Sequence, residues 1–217
     1  MRQDFLPGAV LLVAGWAGAA AAQSNLGGTN YGPANRPLLF AEGGGVGSLR
    51  AFEDDDGDAF DLDSDFAAGR HFGGGVGLQI NRWTALRAVY ASARATGEGG
   101  ASSPLANNRF RRQYYGADIQ LRGGGRLAPY FCLGAGAVTI RPESGARLVA
   151  PDGTAFGSES WTKPAGRFGV GFEVHLGSGL SLFADSTAWV YRWDRYGIGY
   201  TPVDVNWGGG LAYRFGY

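Results

Sequence analysis

The sequence has little of several features that mark common protein classes. Of its 217 residues only one is a cysteine, Cys132, so neither an intrachain disulfide nor a cysteine-rich metal site can form. The formal net charge is zero, which gives no electrostatic reason to expect a nucleic-acid partner. Beyond the N-terminal region no apolar stretch is long enough for a membrane-spanning helix. Any insertion into a membrane would therefore have to use strands.

Glycine is the residue in excess, with 39 in the chain, well above a usual share of roughly 7%. Many glycines lie within segments of alternating polarity, where they weaken a strand unless space or curvature requires them. This pattern predicts a narrow barrel. The run "GGGVG" also lies within such a segment and not at a strand-to-helix turn, so we predict no phosphate-binding loop and no cofactor.

The N-terminal stretch "MRQDFLPGAVLLVAGWAGAAAAQ" has the pattern of a secretory signal peptide. Arg2 precedes an apolar run, and small residues at Ala20 and Ala22 flank a cleavage point before Gln23. We predict a signal peptide over 1–22, a flexible periplasmic leader over 23–37 and one domain over 38–217. A short membrane anchor is the alternative, and a lipid anchor is not supported because no cysteine follows the cleavage point.

The rest of the chain reads as eight strands separated by turns. Three connections are tight turns ("NR", "GGRL" and "GSG"), and the four between them are long and polar. Short connections on one side and long ones on the other are typical of outer-membrane barrels, with turns in the periplasm and loops outside. The predicted strands are 38–52, 66–80, 83–95, 112–123, 128–140, 163–176, 180–192 and 203–217.

Each strand has one apolar face and one face of charged or small residues. In "RFGVGFEVHLG", for example, Phe168 and Val170 alternate with Arg167 and Glu173. A soluble lipocalin-type barrel would bury the apolar face, whereas a membrane barrel would turn it to lipid. The signal peptide, the four long connections and the aromatic residues at strand ends favour the membrane barrel. Its predicted lumen charge network contains four residues of each sign: Glu42, Asp118, Glu173, Asp185, Arg87, Arg122, Arg167 and Arg214.

The aromatic residues at strand ends predict girdles at the two membrane interfaces. We assign this role to Trp83, Trp189, Tyr191, Trp193 and Trp207, with Tyr217 at the C-terminus.

The chain resembles the OmpA/OmpX-like family of small eight-stranded outer-membrane β-barrels. The residues that carry the resemblance are "GGGVGLQINRWTALRAVY", "APYFCLGAGA" and the terminal "GLAYRFGY". It implies an antiparallel up-and-down transmembrane barrel in the cell outer membrane. The last strand also resembles the signal read by the barrel assembly machinery, through Gly210, Tyr213, Phe215 and Tyr217. The assembly machinery and periplasmic chaperones are thus implied as partners during biogenesis, together with outer-membrane lipid.

Three constellations could carry a further function. The acidic connection 53–65 invites a calcium site, but aligning Gly57 with the EF-hand glycine puts Phe52 at the first ligand position, so we predict no metal site and leave loose divalent-ion association open. Arg109, Arg111 and Arg112 lie at a predicted outer rim. They would contact lipopolysaccharide phosphates or form a positive flank without a ligand. No serine is paired by spacing with His71 or His175, so no catalytic residue is predicted.

The sequence therefore predicts a structural anchor that displays surface loops for adhesion or envelope integrity. An eight-stranded barrel is just wide enough for side chains to fill it. A narrow ion channel and a lipid A-modifying enzyme remain as alternatives.

Overall fold

The computed structural model describes residues 36–53, 68–97, 108–143, 148–149, 155–156, 160–195 and 198–216. All regular structure in this part of the chain is β-strand, and it contains no helix long and apolar enough to cross a membrane. The strands are β1 (Arg36–Glu53), β2 (Gly69–Gln79), β3 (Thr84–Thr96), β4 (Arg109–Arg122), β5 (Leu127–Pro142), β6 (Leu148–Val149), β7 (Ala155–Phe156), β8 (Trp161–Gly177), β9 (Leu180–Tyr191), β10 (Trp193–Arg195) and β11 (Ile198–Arg214).

Eight of these strands close into an antiparallel barrel in chain order. The sequence of neighbours is β1, β2, β3, β4, β5, β8, β9 and β11, and β11 pairs back onto β1. The strand β10 pairs with the start of β11, while β6 and β7 form a separate two-stranded sheet. The predicted eight-stranded antiparallel fold is confirmed.

The strand registers fix the shear of the barrel. A path of directly paired residues starts at Arg141 on β5 and passes through Arg111, Arg94, Arg70, Gly45, Trp207, Ser186 and Val170. It returns to β5 at Phe131, ten residues from its start (141 − 131). Eight strands with this shear are tilted by about 40° to the barrel axis.

The two ends of the barrel differ in their connections. At one end, here called the turn end, β2 and β3, β4 and β5, and β8 and β9 are joined by tight turns. The side chain of Asn81 caps the first of these by accepting hydrogen bonds from the backbone of Trp83 (2.8 Å) and Thr84 (2.9 Å). In the last turn Ser178 and its two neighbouring glycines have positive φ. The opposite end, called the outer end, carries the long connections.

The polarity of the barrel is inverted relative to a soluble protein. Large apolar side chains cover the outward face, whereas many of the buried side chains are charged or polar. Soluble monomers rarely expose so broad a belt of apolar surface, and this arrangement is that of a barrel surrounded by lipid. The outward apolar residues include Leu39, Phe72, Val76, Leu86, Ile119, Leu121, Leu133, Phe168, Leu182 and Leu211.

Several strands are longer at the outer end than the sequence predicts. The strand β4 begins at Arg109, three residues earlier than expected, and β11 begins at Ile198, five residues earlier. At the turn end, where Arg36 pairs with Gln79, β1 begins inside the segment predicted as a leader. Its glycine run at 43–45 keeps an unbroken register with both neighbours, and its irregularity lies between Arg50 and Glu53.

Inward-facing glycines make room for the aromatic rings in the lumen. A Cβ atom at Gly75 would lie 2.7 Å from the ring of Phe40 and 2.0 Å from the backbone oxygen of Ala88. A Cβ atom at Gly210 would likewise collide with the ring of Phe183. The excess of glycine in the sequence thus reflects the narrow interior of this barrel.

Candidate functional site

The lumen is filled by three groups of polar side chains stacked along the barrel axis. The eight residues of the predicted charge network all lie on the inward face, six of them buried and two, Glu42 and Asp185, half-buried. The structure adds a fifth pair to them, Arg112 and Asp204, both fully buried.

The central group is organised around Asp118. Arg87 donates to both of its carboxylate oxygens, with Nε to Oδ1 at 2.7 Å and Nη2 to Oδ2 at 3.1 Å. Arg167 forms a second ion pair with the same carboxylate from β8, which only β5 separates from β4. Across the lumen the hydroxyl of Tyr130 donates to Oδ2 of Asp185 at 2.7 Å. Paired charges of this kind offset the cost of removing each ion from water.

The group at the turn end is organised around Glu173. Arg214 binds it in a two-pronged arrangement that includes Nη2 to Oε2 at 2.8 Å, and Arg122 lies 3.4 Å from the same oxygen. His175 contacts Arg122 through Nε2 and the hydroxyl of Ser181 through Nδ1 at 2.8 Å. The network therefore ties β4, β8, β9 and β11 together near the tight turns.

The group toward the outer end is organised around Asp204. Arg112 and Ser48 bind one of its oxygens, while Tyr114 and Tyr191 donate to the other at 2.8 and 2.9 Å. An apolar cluster surrounds this polar group and closes the outer half of the lumen. Its largest members are Phe110, Tyr114, Ile140, Trp161, Trp189, Tyr191 and Trp193.

Three of the predicted interfacial aromatics lie inside the barrel, so that assignment is wrong for them. Trp189, Tyr191 and Trp193 are at most 3% exposed. Trp189 stacks on Tyr114 at 5.4 Å between ring centroids, and Trp193 packs edge-on against Trp161 at 5.1 Å. The physical reason is strand alternation, because on β9 positions 189 and 191 share the face of Asp185.

The other two predicted aromatics face outward. Trp83 lies at the turn end, with the guanidinium of Arg82 4.7 Å above its ring. Trp207 lies on β11, where its indole covers Gly45 and Gly47 of β1. The placement of Trp83 agrees with a membrane interface, which remains a prediction. Trp207 is instead the midpoint of the directly paired path that joins Arg111 to Leu121 on β4, so it lies halfway in height between those two residues and not at an end of the outward apolar face.

Arg112 was predicted to contact lipopolysaccharide at the rim, and its burial in the lumen contradicts this. It shares the inward face of β4 with Asp118 and Arg122, six and ten residues along the strand. Arg109 and Arg111 lie on the opposite, outward face at the outer end of β4.

Other predicted features lie partly or wholly outside the described residues. The signal peptide, most of the leader, most of the acidic connection and Tyr217 are outside them. Of the predicted assembly signal, Gly210 faces inward against Phe183, whereas Tyr213 and Phe215 face outward with their rings edge to face at 4.9 Å. Within the described residues no cluster of three or more metal-ligating side chains occurs.

Solved structures of other proteins have a similar fold. Neisserial surface protein A matches with a TM-score of 0.57 at 14% identity, over 82% of this chain and 97% of that one. The fold is that of the small outer-membrane β-barrels. OprG from Pseudomonas aeruginosa (TM-score 0.46, 14% identity, 86% of this chain and 99% of that one) and Ail from Yersinia pestis (0.47, 18%, 83% and 99%) are also similar. No family model and no curated protein matches the chain.

The inverted faces and this fold together identify a transmembrane barrel of the cell outer membrane. In such barrels the tight turns lie in the periplasm and the long connections lie outside. From this general rule we expect the Glu173 group near the periplasm and the Asp204 group with its aromatic cluster near the cell surface.

Proposed function

We propose that the protein is a non-conducting membrane anchor whose long connections are displayed at the cell surface for adhesion or envelope integrity. The observation that carries this proposal is the filled lumen. Three ion-paired groups and an aromatic cluster occupy successive levels of the barrel. A void among Phe40, Arg87, Tyr130, Glu173 and Arg214 has a volume of about 10 Å³, roughly what one water molecule requires.

Single-channel recording tests the absence of a pore. The purified full chain is inserted into planar lipid bilayers in 1 M salt, with a porin as the positive control for insertion and detection. We expect no conductance steps above the bare bilayer, because ions would have to cross buried salt bridges and packed rings. Regular steps from the folded protein would support the narrow ion channel instead.

Epitope insertion tests the display at the cell surface. One variant carries an epitope after Ala101, in the connection between β3 and β4, and the matched control carries it in the turn between Gly124 and Gly125. Antibody should label intact cells with the first variant only, provided that both retain the heat-modifiable gel mobility of a folded barrel. Labelling of the turn variant alone would show the opposite orientation and overturn the proposal.

We propose further that the protein is not an enzyme, although one serine lies against a histidine. Ser181 and His175 are 2.8 Å apart at the turn end. The serine is fully buried and also accepts a hydrogen bond from Arg214 at 3.1 Å. A nucleophile must reach its substrate, and this hydroxyl is enclosed by the barrel wall. A fluorophosphonate probe should leave the folded protein unlabelled, and labelling lost in Ser181→Ala would contradict this.

A further inference from the structure

Four arginines form one continuous row across the outside of the barrel. Arg70, Arg94, Arg111 and Arg141 are direct partners on the adjacent strands β2, β3, β4 and β5. Each lies within two residues of the outer end of its strand, on the outward face. Arg109 lies two residues beyond Arg111 on the same face of β4. The side chains of Arg94 and Arg111 are 69% and 42% exposed.

This row carries more positive charge than the described residues around it balance. Among the described residues one carboxylate contacts it, that of Glu143, at 3.3 Å from Arg94 and 4.0 Å from Arg111. Within this part of the chain, four arginines and one glutamate leave an excess of three positive charges on neighbouring strands about 4.8 Å apart. Like charges on directly opposite strand positions are destabilising. An external anion would remove this repulsion.

The residues below the row locate it at a membrane boundary. On β3, β4 and β5 the next paired row contains Ser92, Gln113 and Thr139, and on β2 it contains the exposed ring of Phe72. The row after it pairs Tyr90 with Tyr115. The two rows are linked by hydrogen bonds, from Gln113 to the hydroxyl of Tyr90 at 2.9 Å and between Tyr115 and Thr139 at 3.0 Å. Aliphatic side chains follow toward the turn end.

The height of the apolar outward face below the arginines agrees with the thickness of a bilayer's hydrocarbon layer. Arg111 and Leu121 are ten residues apart on β4. With a rise of about 3.4 Å per residue and a tilt of about 40°, they are separated by roughly 25 Å along the barrel axis, which is the height of the apolar band of outer-membrane barrels. When Leu121 lies at the inner edge of the hydrocarbon, Arg111 lies at the outer edge, where lipid headgroups begin. The tilt inclines the paired row, so Arg141 lies roughly 3 Å above this level and Arg70 roughly 6 Å below it, a depth from which a long arginine side chain reaches the headgroups.

We propose that this arginine row, defined as Arg70, Arg94, Arg111 and Arg141, binds the phosphate groups of lipopolysaccharide in the outer leaflet. Guanidinium groups bind phosphate oxygens through two parallel hydrogen bonds, and neighbouring arginines on adjacent strands can hold one phosphate between them. The proposal rests on the membrane placement given above. It replaces Arg112 of the sequence-based prediction with three residues on the neighbouring strands.

The test measures binding of purified diphosphoryl lipid A to the folded full chain in nonionic detergent by native mass spectrometry. The test variant is Arg94→Gln with Arg111→Gln. The matched control is Arg82→Gln with Arg126→Gln, which removes two exposed arginines at the turn end. We expect the test variant to bind about tenfold more weakly or worse, since each lost contact is a hydrogen bond to a charged group. The control variant should bind as the wild type does.

Two further probes separate the sources of phosphate. Lipid A with both phosphates removed should bind the wild type as weakly as intact lipid A binds the test variant. Phosphatidylglycerol should bind at least several-fold more weakly than lipid A, because it offers one phosphate to four arginines. Equal binding of phosphatidylglycerol would overturn the lipopolysaccharide assignment in favour of a general anionic headgroup site.

The remaining outcomes are also decisive. Unchanged lipid A binding by the test variant overturns the proposal. A lowered unfolding stability of that variant in lipid-free detergent, with unchanged lipid A binding, would instead indicate that the row pairs with another part of the chain, such as the acidic connection 53–65. Either result leaves the non-conducting anchor untouched, because the variant would remain folded and closed.

Discussion

Asp204 is the residue on which the polar group in the outer half of the lumen is built. It accepts hydrogen bonds from four side chains that come from β1, β4 and β9, within the apolar outer half of the barrel. Its partner Arg112 is fully buried and cannot turn to solvent. One carboxylate thus determines how three other strands pack against β11.

The first prediction concerns the loss of this carboxylate. Asp204→Asn should lower the free energy of unfolding by about 3–5 kcal/mol, because it removes the negative partner of the fully buried Arg112–Asp204 ion pair. Reversible urea unfolding in lipid vesicles measures the change. The control is Asp194→Asn, which breaks the partly exposed pair with Lys163 and should cost less than about 1 kcal/mol. Equal losses in the two variants would contradict the assigned role of Asp204.

At the scale of the strand, the glycines of the barrel wall fall into positions that accept a side chain and positions that do not. Gly75→Ala places a Cβ atom 2.0 Å from a backbone oxygen of the next strand, whereas at Gly43 the nearest atom is 3.7 Å away. Gly75→Ala should therefore destabilise the barrel by about 1–3 kcal/mol, and Gly43→Ala by less than about 0.5 kcal/mol. Urea unfolding of both variants checks this difference. Equal stabilities would contradict it, because they would show that the neighbouring strand moves enough to accept a side chain at Gly75.

The outward face of a strand gives a prediction about membrane depth. On β5 both Leu133 and Thr139 face outward, Leu133 within the apolar band and Thr139 at its outer edge. Leu133→Arg should cost about 2–4 kcal/mol of folding free energy in lipid, and Thr139→Arg about 0–1 kcal/mol. The comparison is made by unfolding in vesicles of one lipid composition. A greater cost at Thr139 would move the membrane along the barrel.

Strand alternation explains which parts of the site could be predicted from sequence. The eight strands, the inverted faces and the inward position of residues such as Asp118 and Glu173 follow from a period of two and from the lengths of the connections. Trp189, Tyr191 and Arg112 lie inside the barrel, against the prediction, because strand alternation outweighs the preference of aromatic and basic residues for membrane interfaces. Each shares its face with a charged residue already assigned to the lumen, Asp185 for the first two and Asp118 for Arg112, so counting along the strand would have placed them.

The arginine row could not be predicted in the same way. Its members are spread over some seventy residues of sequence, and only the registers of β2 to β5 bring them together. Trp193 is a similar case, since it lies on the short strand β10 and its burial depends on packing against Trp161 from β8. A single sequence without its strand pairing contains neither relation.

At the scale of the whole molecule, the protein is a closed cylinder that is apolar outside and ion-paired inside. The closure comes from the pairing of β1 with β11 along almost the full length of both strands. Closed pairing satisfies the backbone hydrogen bonds that lipid could not. The filled interior then leaves the two ends of the cylinder, and its outer arginine row, as the surfaces available for binding.

The central claim is the inverted barrel, and an accessibility scan along β4 tests it most directly. Spin labels are attached one at a time at positions 111, 113, 115, 117, 119 and 121 in a Cys132→Ser background, with the protein in lipid vesicles. Collisions with dissolved oxygen report lipid, and collisions with a water-soluble nickel chelate report solvent. We predict high oxygen accessibility from 115 to 121 and a change to nickel accessibility at 113 and 111. Nickel accessibility along the whole strand would show that this face meets water, and would contradict the account.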